Sequence, residues 1–579
     1  MIRSRLQTSV VCLAVGVAAL VMGWGESTAC TTIAVGKKAS ADGSTIVSHS
    51  NDAFEDQRIT RIPARSYEPG AKENIYYAFQ ACDFIPELGG APYRNYVGLD
   101  RGPVNDSGEK ANVLLGAIPQ VQRTYAYFDA SYPFMNEHQL SIAGETTCRA
   151  RVDDVMPLKG KRIFYSSSLA RVALQRCKKA KEAVLLMGSL IDRYGYYGTG
   201  ECLVAADTEE VWVIEMCGYS NDPGAGGGLW AARRLADDEV FVSANQFRIR
   251  DVKPDSPDML YSEHLFEICQ QLGWWHPAQG LLDWTATVGG GEYHHPYYSL
   301  RRVWRIFSRV KPSAGFTPDV KDQNTRAYPF SIRPDRKLSV RDVAALHRDH
   351  YEGTRFDLTQ GIAAGPFGNP TRYEKTKDEK DAQPGKADGW FERPLSIYRC
   401  GYTVITQCRA DYPAPIGGLV WIGYDKPSTC VFMPFFAGCT QFPESFSRGR
   451  YTEFDAESAW WTFNLVANYI NLKYAYMIQD VERLRNTLES EAFEKTCQTQ
   501  KQAMVQWRQG NQDAARLIVT RFGLDNSRQV LDAWRKLFGQ LVVKYNNGDI
   551  IAPDGSIRKP GYPDHWLEKT NYKDGPITY

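Results

Sequence analysis

Residues 29–52 read Ala29-Cys30-Thr31-Thr32-Ile33-Ala34-Val35-Gly36-Lys37-Lys38, then Ala39-Ser40-Ala41-Asp42-Gly43-Ser44, then Thr45 through to Asp52. Thr31–Val35 is β-rich and alternates weakly, the Ala39–Ser44 stretch is turn chemistry, and Thr45–Ser48 resumes as a strand. The spacing predicts a hairpin that begins at Cys30. A cut between Ala29 and Cys30 would put a thiol and a free α-amine on one residue, a nucleophile with its own base.

The segment upstream, residues 1–29, has the three-part build of a secretory signal. Arg3 and Arg5 supply the positive start, Val10 to Met22 an apolar run, and Ser27-Thr28-Ala29 small residues at a cleavage site. The run is too short to span a bilayer, and no other stretch is both long and free of polar residues. Ala459–Met477 is interrupted by Asn464, Asn468, Asn471 and Lys473 and reads as a buried helix. A small residue before a cysteine also suits a lipoprotein, in which Cys30 would be acylated and its amine blocked. That signal wants a large aliphatic residue three positions before the cysteine, where this chain has Ser27.

The chain has 579 residues and a net charge of +1, which becomes zero once Arg3, Arg5 and Glu26 leave with the signal. A neutral chain without a basic run gives no support for nucleic-acid binding. Its 12% aromatic content marks a folded enzyme or binding protein and not a disordered one. The 13 cysteines form no CxxC pair and no zinc pattern. Cys400 with Cys408, and Cys430 with Cys439, are the pairs closest in sequence; buried reduced thiols are the alternative for most of them.

Further along, Ile59–Arg65, Leu140–Ile142, Cys202–Ala206, Val211–Glu215 and Glu239–Ser243 carry strand patterning. Ser167–Gly188 and Met259–Leu272 carry helical patterning. Ser339 caps a helix that continues through Leu346, and residues 371–390 read as an exposed loop. Strands return at Tyr402–Gln407, Gly418–Gly423 and Thr429–Pro434. From Glu457 to about Lys544 the pattern is helical. Strands and helices mix without the regular alternation of a parallel βαβ fold, so the class is α+β.

Cys30-Thr31-Thr32, followed by Val35-Gly36-Lys37-Lys38-Ala39 and Asp42-Gly43-Ser44, resembles the start of the dipeptidase D family of N-terminal-nucleophile (Ntn) hydrolases. Similar blocks follow in order: Met135-Asn136-Glu137-His138 into Gly144-Glu145-Thr146-Thr147, Val242-Ser243-Ala244-Asn245, and Tyr298-Ser299-Leu300-Arg301-Arg302-Val303-Trp304. Glu352-Gly353-Thr354, Gly365 to Pro370, Arg399 to Arg409, Ile416 to Trp421 and Ser458-Ala459-Trp460-Trp461 complete the series. The resemblance implies an αββα sandwich of two antiparallel sheets between helical layers, with a helical C-terminal extension. The domain reading is a signal at 1–29, a catalytic domain at 30–450, and a helical region at 451–579 packed on it. It also implies cysteine-type hydrolysis of dipeptides without a cofactor or metal. The alternatives are an Ntn acylase acting on non-peptide amides, and a lipid-anchored binding protein without turnover.

For the chemistry, Cys30 is the nucleophile, and its α-amine, with an ordinary pKa of about 7.7–8.0, can accept the thiol proton. Asp52 matches the acidic residue that holds this amine in the superfamily; its local alternative is a turn aspartate. Related amide hydrolases carry an arginine three residues before that aspartate. This chain has His49 there, which either supplies a partial charge or is an exposed strand histidine, the latter being favoured. Asn136 and Asn245 match amides that donate to a developing oxyanion, with turn asparagines as the alternative. Arg301 matches an arginine beside the nucleophile, although Arg302 and Arg305 leave the register open. Glu145 and Glu201 are candidates for gripping a substrate amine, or else buried structural glutamates. His347 and His350 lack a third ligand in sequence reach and read as incidental. The expected partner is a dipeptide or small peptide, with no nucleic acid and no stable membrane span. Nothing in the patterning decides between monomer and homo-oligomer. The expected location is periplasmic or extracellular.

Overall fold

A computed structural model describes residues 30–53, 57–77, 113–293, 295–373, 389–449 and 453–576. The signal reading at 1–29 and most of the loop reading at 371–390 lie outside the described residues.

The N-terminal hairpin forms as patterned: β1 (Thr31–Val35) and β2 (Thr45–Asn51) pair antiparallel across the Gly43 turn. Asp42 accepts from the backbone and hydroxyl of Ser44, which closes that turn. The chain continues with β3 (Ser141–Cys148), β4 (Gly200–Ala206), β5 (Val211–Cys217), β6 (Leu229–Arg234) and β7 (Val240–Ser243). Then come β8 (Met259–Tyr261), β9 (Ser331–Ile332), β10 (Tyr402–Cys408), β11 (Leu419–Tyr424) and β12 (Met433–Phe436). They make a seven-stranded sheet in the order β9-β7-β1-β2-β10-β11-β12 and a five-stranded sheet in the order β8-β6-β5-β4-β3. Every pairing within them is antiparallel.

The two sheets face each other where β3 crosses β1, β2 and β10. Gly144 on β3 sets the approach: a Cβ there would lie 2.6 Å from Val204 Cβ and 2.9 Å from Thr32 Cγ2. Thr32 Oγ1 donates to the Glu145 carbonyl, and Ser141 and Thr406 share a hydrogen bond of 2.7 Å across the same gap. Helices α1 (Ser166–Arg176) and α2 (Ala180–Tyr194) belong to the apolar cluster on the far side of the five-stranded sheet. Helix α3 (Leu300–Val310) packs on β7, and α4 (Val340–His347) on β2 and β10. The C-terminal region is α5 (Ala459–Tyr469), α6 (Tyr474–Arg508) and α7 (Gln512–Lys544). Trp421 of β11 stacks on Phe493 of α6 at 4.2 Å, and Gly523 of α7 lets that helix close onto Phe435 of β12. The chain is therefore a mixed α/β fold with several antiparallel sheets and a helical C-terminal region.

Several expectations need correction. The patterned helix at 167–188 is two helices, because Cys177 is extended between them. Met259–Leu272 is a strand followed by a short helix at Leu265–Gln271. The strand expected over Ile59–Arg65 stops at Ile62, before Pro63, and resumes for Arg65–Ser66. Cys400, Cys408, Cys430 and Cys439 are all unbridged. Cys400 and Cys408 sit beyond and at opposite ends of β10, roughly 20 Å or more apart at ~3.3 Å per residue, far over disulfide range. Strand β12 separates Cys430 from Cys439 in the same way. Among the described residues no helix is long and apolar enough to cross a membrane.

Candidate active site

Cys30 precedes β1, a central strand, and antiparallel pairing brings the ends of two neighbours to it. The register Thr31↔Ser50 carries Asp52 alongside from β2, and Thr32↔Ser243 carries Asn245 from the end of β7. Cys30 is fully buried. Its carbonyl accepts from Thr146 Oγ1 at 3.0 Å and from Arg302 Nη1 at 2.9 Å.

Asn245 occupies left-handed backbone, φ 61°, a conformation that asparagine tolerates better than most side chains. Its amide donates to the Thr147 carbonyl at 2.7 Å, and its Oδ1 accepts from Arg302 Nη2 at 2.7 Å. Its backbone N–H donates to Thr146 Oγ1 at 2.9 Å. Thr146 thus joins Cys30 and Asn245 through one hydroxyl.

Arg302, on α3, is the cation that contacts Cys30 itself. Besides Cys30 and Asn245 it donates to Thr31 Oγ1 and to the carbonyls of Ala244 and Tyr298. All five of these partners are neutral oxygens. Burial and the nearby Arg393 charge bring its pKa down to about 10, so it stays charged at neutral pH. A buried cation held by neutral dipoles is costly on its own and stabilises an anion that forms beside it.

Asp52 closes the other flank. Its Oδ2 accepts from Ser50 Oγ at 3.0 Å and from Arg393 Nη2 at 2.5 Å, in an ion pair whose side chains are 3% and 0% exposed. Its carbonyl accepts from Arg399 Nε at 3.2 Å. Oδ1 is buried and accepts no hydrogen bond among the described residues. The Tyr298 ring lies under both guanidiniums, 4.9 Å from Arg302 and 5.8 Å from Arg393.

Cys30, Asp52 and Asn245 therefore converge, and the other two candidates do not. Arg301 is one residue away from Arg302 on α3, a rotation of about 100°, and turns elsewhere. It donates to Glu392 at 3.2 Å and to the Pro318 carbonyl, between the rings of Tyr297 and Phe356. The arginine beside Cys30 is Arg302. Asn136 spends its side chain on local structure. It donates to the carbonyls of Leu174 and Cys177 and accepts from the N–H groups of His138 and Leu140. Replacing Asn136 with alanine would strand several of these buried groups at ~1–3 kcal/mol each. The expected result is a large drop in melting temperature with kcat per folded molecule within about twofold of wild type. A tenfold loss of kcat in folded protein would return Asn136 to the site.

His49 is not exposed. It is buried between the sheets, Nδ1 donating to the Ala143 carbonyl at 2.6 Å, and burial lowers its pKa to about 4. It is neutral at pH 7 and supplies no charge. His347 is buried on the other side of β2 with Nε2 2.9 Å from Ser48 Oγ, its pKa lowered to about 3 by burial and by nearby His49 and Arg348. His350 turns instead to Glu352, 2.9 Å away, so the two histidines do not share a ligand. Because the folded pKa values of His49 and His347 are depressed, the unfolded chain binds more protons between about pH 6.5 and pH 4. Stability should fall as pH drops through that window, and His347→Gln should shallow the slope in urea titrations. A wild-type midpoint that is flat from pH 7 to 4.5 would contradict this.

Glu145 and Glu201 lie on the face of the five-stranded sheet opposite to Thr146, as strand alternation requires. Glu201 accepts from Tyr165 OH at 3.1 Å and Ser166 Oγ at 2.9 Å, and burial pushes its pKa up to about 7. Glu201 thereby ties β4 to the start of α1. Among the described residues no group of three or more His, Cys, Asp or Glu side chains could hold a metal ion.

Arg393 and Thr146 went unrecognised in the sequence, and Arg302 stood there as one of two neighbours that left the register of Arg301 open. Arg302 was within reach as the neighbour of a candidate, whereas Arg393 lies in an irregular segment without any motif.

The family model described as peptidase family C69 matches residues 29–487. A probable dipeptidase of Latilactobacillus sakei is 26% identical over 467 residues, covering 79% of this chain and 84% of the relative. A probable dipeptidase of Salmonella dublin is 25% identical, covering 75% of this chain and 86% of its own. Dipeptidase A of Lactobacillus helveticus is 24% identical, with 78% and 83% covered.

Proposed function

The chain belongs to peptidase family C69, and from that premise we propose that it is an exported dipeptidase of the N-terminal-nucleophile type, maturing by loss of residues 1–29. The two facing antiparallel sheets with helices against them are read as the αββα sandwich of that class. The observation that carries the reading is the convergence of Asp52, Asn245 and Arg302 on Cys30 from three separate elements. The relatives named as dipeptidases supply the substrate class.

In the mature enzyme the neutral α-amine of Cys30 takes the thiol proton, and the sulfur attacks the peptide carbonyl carbon. Negative charge passes from sulfur to the carbonyl oxygen, in the field of Arg302 and the Asn245 amide. The C–N bond then breaks, the leaving amine takes the proton from the α-ammonium, and a thioester remains. Water gives a proton to the α-amine and attacks the thioester. The thiolate departs and recovers that proton, which releases the acid and restores the starting state. Asp52 Oδ1, with an open acceptor position, holds the amine through both cycles.

A buried Cys30 at the head of a central strand also disfavours a lipid anchor there, since acyl chains need a path to a membrane. The test is the intact mass of exported material together with a substrate panel. A mature chain starting at Cys30 with an unmodified N-terminus, cleaving dipeptides faster than an acylated amine, is expected. A diacylglyceryl adduct, or a chain that starts elsewhere, would end the reading.

A further inference from the structure

Arg393 forms the most deeply buried ion pair at the centre, yet it belongs to no motif and reaches Asp52 across 341 residues of sequence. It is fixed by more than Asp52. Its Nη1 donates to the Pro394 carbonyl, its own carbonyl accepts from Tyr351 OH at 2.6 Å, and its guanidinium lies 5.8 Å from the Tyr298 ring. Asp52 therefore has one oxygen bonded by Arg393 and Ser50 and the other, among the described residues, left open.

We propose that Arg393 is a positioning residue that holds Asp52 aimed, and that its charge makes the α-amine of Cys30 a weaker proton acceptor, neutral enough to act as a base near pH 7. This rests on Cys30 being the mature N-terminus. A lone buried carboxylate beside an amine would hold it as ammonium, the wrong form to accept a thiol proton. A guanidinium on the far oxygen of that carboxylate offsets its field at the amine while leaving a hydrogen-bond acceptor in place. The other groups facing this point are Arg302, Arg399, Tyr298, Tyr351 and the Cys400 thiol. Burial and Asp52 push the Cys400 thiol well above the ordinary thiol range, so it contributes no charge near neutrality. Arg302 adds a second positive charge of the same sense.

The test compares mature wild type, Arg393→Lys and Arg393→Gln from pH 5 to 9.5. Two profiles are read: kcat/KM on a dipeptide that wild type cleaves, and the rate at which iodoacetamide alkylates Cys30. Alkylation is scored by mass on the N-terminal peptide, which separates it from exposed Cys497. In Arg393→Gln the acid limb of both profiles should move up by about one pH unit or more, whereas Arg393→Lys should stay within about 0.3 of wild type. A purely structural ion pair would lower both rates without moving the limb, and that outcome in folded protein overturns the proposal. Should Arg393→Gln not fold, competitive acetylation of wild type decides. An α-amine pKa below the ordinary value of about 7.7–8.0 supports the proposal, and one above it overturns it. Shifted alkylation profiles without dipeptide hydrolysis would sink the dipeptidase reading alone. A mature chain not starting at Cys30 would sink both.

Discussion

Cys30→Ala in the mature chain should abolish dipeptide hydrolysis, with a loss of about 10⁴-fold or more in kcat, and leave the fold intact. The magnitude follows from losing the group that makes and breaks every bond, since knocking out a nucleophile removes most of an enzyme's advantage over water. The fold should survive because Thr146 and Arg302 bind the backbone carbonyl of Cys30, which alanine keeps. Cys30→Ser is the sharper variant. A hydroxyl is far harder to deprotonate than a thiol, so the α-amine is a poor match for it, and activity should drop nearly as far. A third version, with one residue retained ahead of Cys30, has the thiol but no free amine and should be equally inactive. Rapid-quench mass spectrometry of wild type should capture the acyl group on the N-terminal peptide. Full turnover in Cys30→Ala would dispose of the mechanism.

The second large effect concerns Arg302. Arg302→Met removes a buried charge that contacts Cys30, Thr31, Ala244, Asn245 and Tyr298, all through neutral oxygens. Transition-state charge would then develop without its cation, and kcat should fall by about 10²–10³-fold with a much smaller change in KM. Alkylation of Cys30 at pH 7 should slow as well, because the thiolate loses the same partner. Arg302→Lys should rescue little, since one ammonium cannot span contacts spread over the whole guanidinium fork. If Arg302→Met keeps kcat within about threefold, the positive charge is incidental to chemistry and the arginine is a brace.

Much of this architecture was legible in the residues. The hairpin from Thr31 needed only alternation and an Asp-Gly turn, and it formed within three residues of its expected end. The helical tail showed its periodicity over a long span, although the break at Ile470–Lys473 carried no clear signal. The site was legible where backbone register decides it. Asp52 and Asn245 came from the family resemblance, and the pairing of β1 with β2 and β7 is what brings them to Cys30. It was illegible where rotation or distant packing decides. Arg301 and Arg302 differ only in helix phase, which depends on how α3 sits against β7. Asn136 has the composition of a site residue but is consumed by carbonyls at Leu174 and Cys177 that no local pattern reveals. His49 looked solvent-facing on its strand and became buried only because β3 lies over that face. Arg393 could be found only by folding the chain.

The aromatic contact between the sheet and its C-terminal helices bears on how the protein can be handled. Trp421, Phe435 and Phe436 rest on Phe493, Gly523 and Phe522. Shortening the polypeptide before α5 would expose that surface to water, a sticky patch of the kind that drives precipitation during expression. The tail is part of what keeps the remainder soluble, and a minimal catalytic fragment is not obtained by trimming it.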